Sequence, residues 1–171
     1  AMLLTGTEMA SKRDREKYGL VTKFRTLPGN VGNYNILNEE HPVAEIEEIV
    51  VGSNTLSMND YVECRIMNLI IKTFYNNNIF NEIHSMQRAM GISPFDCLVY
   101  IKDHEEMYTE KVKKIIESFV SETTEDLFDT REKANEYVLS SNVINKYING
   151  ELGTNELFLH SSLLFNEFKD I

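Results

Sequence analysis

The chain has 171 residues, enough for one domain with a real core, or one domain plus a projecting element. Its hydrophobic share of 42% is too high for wholesale disorder, and its formal net charge of −10 argues against a nucleic-acid partner, which needs a basic face to displace counterions. No stretch approaches the roughly 20 apolar residues of a membrane helix, and Met2, Leu3 and Leu4 are too short a run for a secretory signal, so a cytoplasmic chain with no membrane contact is expected.

Taken in order, residues 2–18 read as a strand end or loop followed by a short charged helix. Ala1 before Met2 reads as a scar from tag removal, and the apolar run over 2–4, with no turn before it, as the cut end of something longer. Residues 21–27 (VTKFRTL) are rich in β-branched and aromatic types and predict a strand. Pro28-Gly29 and Gly32-Asn33 then predict a loop. Residues 43–51 (VAEIEEIVV) predict a second strand, with Ala44 and Ile46 on the covered face and Glu45 and Glu47 on the open one. The alternation breaks at Glu48.

From Ser57 the pattern is helical. Ser57 and Asp60 form a capping box for a helix whose apolar residues wrap most of its circumference, as in a buried central helix. A second helix ends at Gly91, and Ser93-Pro94 opens a third that runs to about Lys102. The best internal seam falls at 103–108. Thr109 caps a helix with one apolar stripe from Val112 to Leu127. Asp129 and Glu132 make a box-like start for a stripe from Ala134 to Ile148, stopped by Gly150. Thr154 caps a final helix carrying Leu157, Phe158, Leu163, Leu164, Phe165 and Phe168, a face apolar enough to need a partner. The expected architecture is mainly α with a small N-terminal β-hairpin and a helical bundle of about five to six helices. The expected division is 1–56, then a helical domain over 57–171.

The residue chemistry is sparse. Cys64 and Cys97 read as two free thiols, at least one of them buried, and no CxxC pair is present. His41, His84, His104 and His160 share no metal-binding spacing, so neither a catalytic nor a metal residue is assigned. His84 is expected to be packed and His160 to lie at the polar edge of its helix. Glu45 and Glu47 share a strand face, which suits acid–base chemistry, but a charged edge strand that resists aggregation is the simpler reading. GxSxG and P-loop motifs are absent.

Two blocks carry a resemblance: 2–34, MLLTGTEMASKRDREKYGLVTKFRTLPGNVGNY, and 45–65, EIEEIVVGSNTLSMNDYVECR. Together they resemble the region that follows the catalytic barrel in cobalamin-binding-type radical S-adenosylmethionine proteins, the Fe-S oxidoreductase family. Leu4 to Met9 (LTGTEM) is similar to that family's "LLPGTEM" phrase, with Thr5 where Pro is commoner. The resemblance covers about the first 75 residues. It implies a parent enzyme that uses a [4Fe–4S] cluster, S-adenosylmethionine and, in this type, cobalamin. The family's CxxxCxxC loop is missing from this sequence, so no cofactor is expected in the chain itself.

On this resemblance the chain is expected to be an accessory region, a lid or docking piece that shields a radical from water, with the parent's N-terminal barrel as its partner. The substrate-contact candidates are Arg25 and Tyr34 near the hairpin and Arg65 on the first long helix. Ordinary ion pairs with Glu45 or Glu47 are the competing reading for the arginines. The rival class is a free-standing acidic helical module that binds a partner, or forms a homodimer, through 157–168. A small metal-dependent hydrolase has little support.

Overall fold

The computed structural model describes residues 2–168. Among them, eight α-helices and an antiparallel ribbon divide into two compact units: residues up to 61 with 124–155, and residues 62–123 with those from 156 onward. The small hairpin with a bundle of about five to six helices is therefore corrected. The ribbon strands run 16 and 14 residues, flanking bridges extend the sheet on both sides, and the helices are shared between two units. The first unit takes in the ribbon and residues 124–155 alike, so the helices of that segment belong with the strands.

The ribbon pairs β1 (Val21–Ile36) with β2 (Glu39–Gly52). Pro28-Gly29 and Gly32-Asn33, expected to close the hairpin, lie inside β1. Thr26 pairs with Ile46 and Val31 with Ala44, so residues 27–30 bulge opposite Glu45 alone. A bulge tolerates a proline, which lacks the ladder donor, and Gly29 supplies the φ of +79° that it needs. The turn itself is Leu37-Asn38, with φ of 53° and 67°. Two left-handed residues in succession make the type I′ geometry whose twist matches a ribbon, and Asn-Gly rather than Leu-Asn is its preferred sequence. Leu37 is 93% exposed and buries nothing to offset its strained backbone. Leu37→Asn is therefore expected to stabilise the hairpin by about 0.5–1 kcal/mol, seen as slower amide exchange over 31–43. Faster exchange in the variant would contradict the turn assignment.

Burial along β2 is the reverse of the expected phase. The covered residues are Glu47, Ile49 and Val51, at 8%, 5% and 1% exposure, while Ala44 and Ile46 are half-buried. The apolar transfer energy of Ile49 and Val51 decides which face is covered, and Glu47 follows because strand residues two apart share a face. Phe24 and Glu48 face each other without exchanging backbone bonds, so their peptide groups point outward. Phe128 meets those of Phe24 at 2.8 Å in both directions, and Leu3 N donates to the Glu48 carbonyl at 2.7 Å.

Three helices complete the first unit. In α1 (Lys12–Tyr18) the Ser11 hydroxyl accepts from Asp14 N, and Gly19 ends the helix at φ 57°. An added Cβ there would meet Asn54 Oδ1 at 2.0 Å. The expected single stripe over 134–148 breaks into α6 (Arg131–Leu139) and α7 (Ser141–Ile148), because Ser140 is extended, with ψ of 138°. Thr130 caps α6 by accepting from Lys133 N, and Asp129, expected in that role, pairs with Lys23 on β1. Both helices pack on the ribbon, and Ala134, Val138 and Ile144 are buried.

The second unit holds most of α2 (Met58–Phe74), then α3 (Asn81–Ala89), α4 (Pro94–Asp103), most of α5 (Glu110–Glu125) and α8 (Glu156–Phe168). Three of the capping signals act as expected. Ser57 and Asp60 exchange hydrogen bonds, Ser93 Oγ accepts from Asp96 N, and Thr109 Oγ1 accepts from Val112 N. Residues 65–74 of α2 include none that is exposed, as befits a central helix. Ile66, Leu69 and Ile70 meet Leu98, Val112, Ile116, Phe119 and Leu164 in one core. The seam expected at 103–108 lies inside this unit, where the Tyr108 hydroxyl donates to the Ile101 carbonyl at 2.6 Å and ties the connection to α4.

Candidate functional site

The densest charge in the first unit lies at the base of the ribbon. Arg15 on α1 grips Glu48 with both terminal nitrogens, at 2.6 and 2.8 Å, while its Nε donates to the Ala10 carbonyl at 3.0 Å. Arg25 Nε donates to Glu47 at 2.6 Å across the strands, and Asn30 donates to Glu45 at 2.9 Å. Arg131 Nη1 donates to the Ile46 carbonyl at 2.7 Å and its guanidinium lies over the Phe24 ring. Glu45, Glu47, Glu48 and Arg131 line a cleft of about 180 Å³ here, below the usual size of a small-molecule site. All three carboxylates are held by donors. The Arg15 hydrogen bonds keep the Glu48 carboxyl below the usual carboxylate range, against the opposing effect of burial. Such a group is a poor proton carrier near neutrality. The cluster is built to join α1 to the ribbon.

The sign of its pH dependence follows. A carboxyl whose folded pKa is depressed adds stability above its unfolded value, 4.5 for Glu, and loses it as pH falls through the lower folded value. Acid unfolding of the native chain should thus show a loss of about 1 kcal/mol below pH 4.5 that Glu48→Gln removes, since the pair is bidentate but partly solvated. Matching acid limbs in a denaturant series at stepped pH would exclude this role.

Of the three sequence candidates, Arg25 and Tyr34 lie on the ribbon of the first unit and Arg65 in the second. Arg25 is taken up by Glu47, the ion pair that was the competing reading. Tyr34 pairs with His41 on the far part of the ribbon and is 61% exposed. Glu47 and His41 lie six positions apart on β2, about 20 Å along a strand. Arg65 belongs to the second unit, where Nη2 donates to Glu156 at 2.6 Å.

Around Arg65 lies a polar group that sequence reading did not find. His160, expected at a polar edge, is 1% exposed. Its Nδ1 lies 2.8 Å from the Glu156 carbonyl, so Nδ1 carries the proton and donates. Its Nε2 is 3.6 Å from Glu122 Oε1, and its ring meets Phe119 edge-on. The Arg65 guanidinium sits 5.3 Å from the centre of the same Phe119 ring. Arg65 Nε and Thr123 Oγ1 are buried and hydrogen-bonded to nothing. The spacing 156, 160, 164 in an apolar segment was the available signal, since it gathers Glu156, His160 and Leu164 on one face. What remained illegible was that this face, and not Phe158 and Leu163, turns inward.

The other residues behave as packing. His84 is buried, with Nε2 2.8 Å from the Phe74 carbonyl. Cys64 is exposed and Cys97 half-buried, so neither thiol is in the core as expected. An apolar cavity of about 350 Å³ is lined by Phe74, Ile101, Met107, Tyr108 and Val112, with Glu167 at its edge 3.4 Å from Lys111. Burial pushes the Tyr108 phenol up to about 12. Among the described residues no cluster of three or more His, Cys, Asp or Glu could hold a metal ion, and no helix is long and apolar enough to cross a membrane. Comparison with protein-family models, curated proteins and solved structures finds no match.

Proposed function

We propose that this chain is the C-terminal accessory region of a radical S-adenosylmethionine Fe-S oxidoreductase, where it shields or docks and does no chemistry of its own. The observation that carries the reading is that the two blocks of the resemblance fold onto each other. The LTGTEM segment, the charged helix α1, the strand with Phe24-Arg25 and the EIEEIV strand are joined by the Leu3–Glu48 backbone bond, the Arg15–Glu48 grip and the Arg25–Glu47 pair. Those links unite residues far apart in sequence, so the matched phrases act as one body. The residues present do not fit an iron–sulfur cluster, because two separate cysteines cannot supply its three thiolates. Cluster, S-adenosylmethionine and cobalamin belong, in this reading, to the rest of the parent protein, whose barrel is the partner in the cytoplasm. The reading frame upstream of Met2 should encode a CxxxCxxC run within about 300 residues, the span of a barrel. A stop codon directly upstream would end it.

A second reading has one observation in its favour. Helix α8 buries Glu156, His160, Ser161 and Leu164 while Phe158, Leu159 and Leu163 are exposed. The side chain of Phe168, counted in that stripe, lies outside the described residues. An apolar outer face suits a free-standing interaction module or a homodimer. Light scattering on the chain distinguishes the two: a stable dimer abolished by Leu163→Glu supports the module.

A further inference from the structure

Beyond its bulge the ribbon is an arm with two unlike faces. The register pairs Tyr34 with His41, Ile36 with Glu39 and Gly32 with Val43, which gathers Tyr34, Ile36 and Val43 on one face. Val31, Asn33, Asn35, Glu40, Pro42 and Ala44 occupy the other, where Asn33 Nδ2 donates to Glu40 at 2.9 Å. On the first face Tyr34, Ile36 and Val43 are 61%, 55% and 47% exposed. A two-stranded ribbon is marginal alone, and an aromatic beside two β-branched residues in water is the composition of an interface centre.

Charge identifies what covers it. No Lys or Arg occurs between Arg25 and Arg65, and the acidic residues on the arm itself are Glu39 and Glu40, whereas Glu45, Glu47 and Glu48 at its base are held by Asn30, Arg25 and Arg15. Of these, Glu39 stands on the apolar face beside Ile36. A second copy would bring like charges together, and anionic lipid or nucleic acid would be repelled. We propose that the arm is a docking element whose apolar face lies on a protein partner's apolar strip flanked by Lys or Arg, with Glu39 meeting that basic flank. The inference follows from register and charge, and it holds even if the accessory-region reading fails.

The test uses the whole chain and a defined probe, a synthetic amphipathic helix of leucine and lysine, with a leucine–glutamate helix as control. Amide shifts on titration should concentrate in 31–43. Tyr34→Ser with Ile36→Ser should weaken binding by roughly tenfold or more, and Glu39→Lys by several-fold at low salt. The control helix should not bind. Unchanged circular dichroism would verify that the variants fold. Shifts spread over the acidic surface, affinity unmoved by the serine variants, or equal binding of the glutamate helix would each overturn the proposal. So would arm shifts that depend on chain concentration without probe, which would assign the face to a second copy.

Discussion

Phe119→Ala is expected to cost about 4 kcal/mol of folding stability, the largest effect of any single change considered. The ring is fully buried at the centre of the second unit's core, among Ile66, Leu69, Ile70, Val112, Ile116 and Leu164. Its removal loses the transfer free energy of a phenyl group and leaves a cavity bounded by three helices that are also held by other contacts, so collapse is incomplete. The ring is also the shared neighbour of Arg65 and His160, one over its face and one at its edge. Alanine would expose both polar groups to an empty space with no compensating dipole. The urea midpoint should fall accordingly, and the melting temperature by about 12 °C for a chain of this size. A loss under about 1 kcal/mol would mean that the ring does not occupy the core.

Arg65→Met is expected to cost about 3 kcal/mol although methionine fills much of the same volume. The Glu156 carboxylate, 11% exposed, would lose its guanidinium while remaining largely out of water. Electrostatics rather than packing should dominate. One consideration opposes it: Arg65 Nε is already buried without an acceptor, so the substitution also relieves a small existing penalty. Desolvation of the carboxylate that loses its guanidinium is the larger effect, because an ion's penalty exceeds that of one unmatched N–H. The decisive comparison is Arg65→Met with Glu156→Leu. Removing both charges should return stability to within about 1 kcal/mol of the native chain, since apolar replacement of a whole buried pair is often neutral. If the double variant is as unstable as the single one, the loss comes from shape and the ion pair is incidental.

Legibility in the sequence tracks the distance over which each feature is decided. The caps at Ser57, Ser93 and Thr109 bond three residues away, so a short string of letters contains both partners. The ribbon's turn was missed because Pro28-Gly29 is the stronger local punctuation, yet the ladder continues past it by bulging. Leu37-Asn38 gives almost no turn signal. The candidate residues divide in the same way. Arg25 and Arg65 were identifiable as cations near acids, but Glu156 lies 91 residues from Arg65, and nothing local announces it. His160 looked like an interruption in an apolar helix, and it became a core residue because Glu122 and Phe119 of α5 stand opposite it.

From its sequence alone, this protein has its acidic balance, its helical second half, its caps at Ser57, Ser93 and Thr109 and its lack of a cluster-binding cysteine loop, because each depends on composition or on neighbours within one helical turn. Tertiary structure alone decided which strand face is covered, where α6 parts from α7, how residues 124–155 join the ribbon, and that α8 turns Glu156 and His160 inward. These are choices between faces that the chain could present equally well. They are resolved by the apolar area and charge partners that distant segments bring to each face.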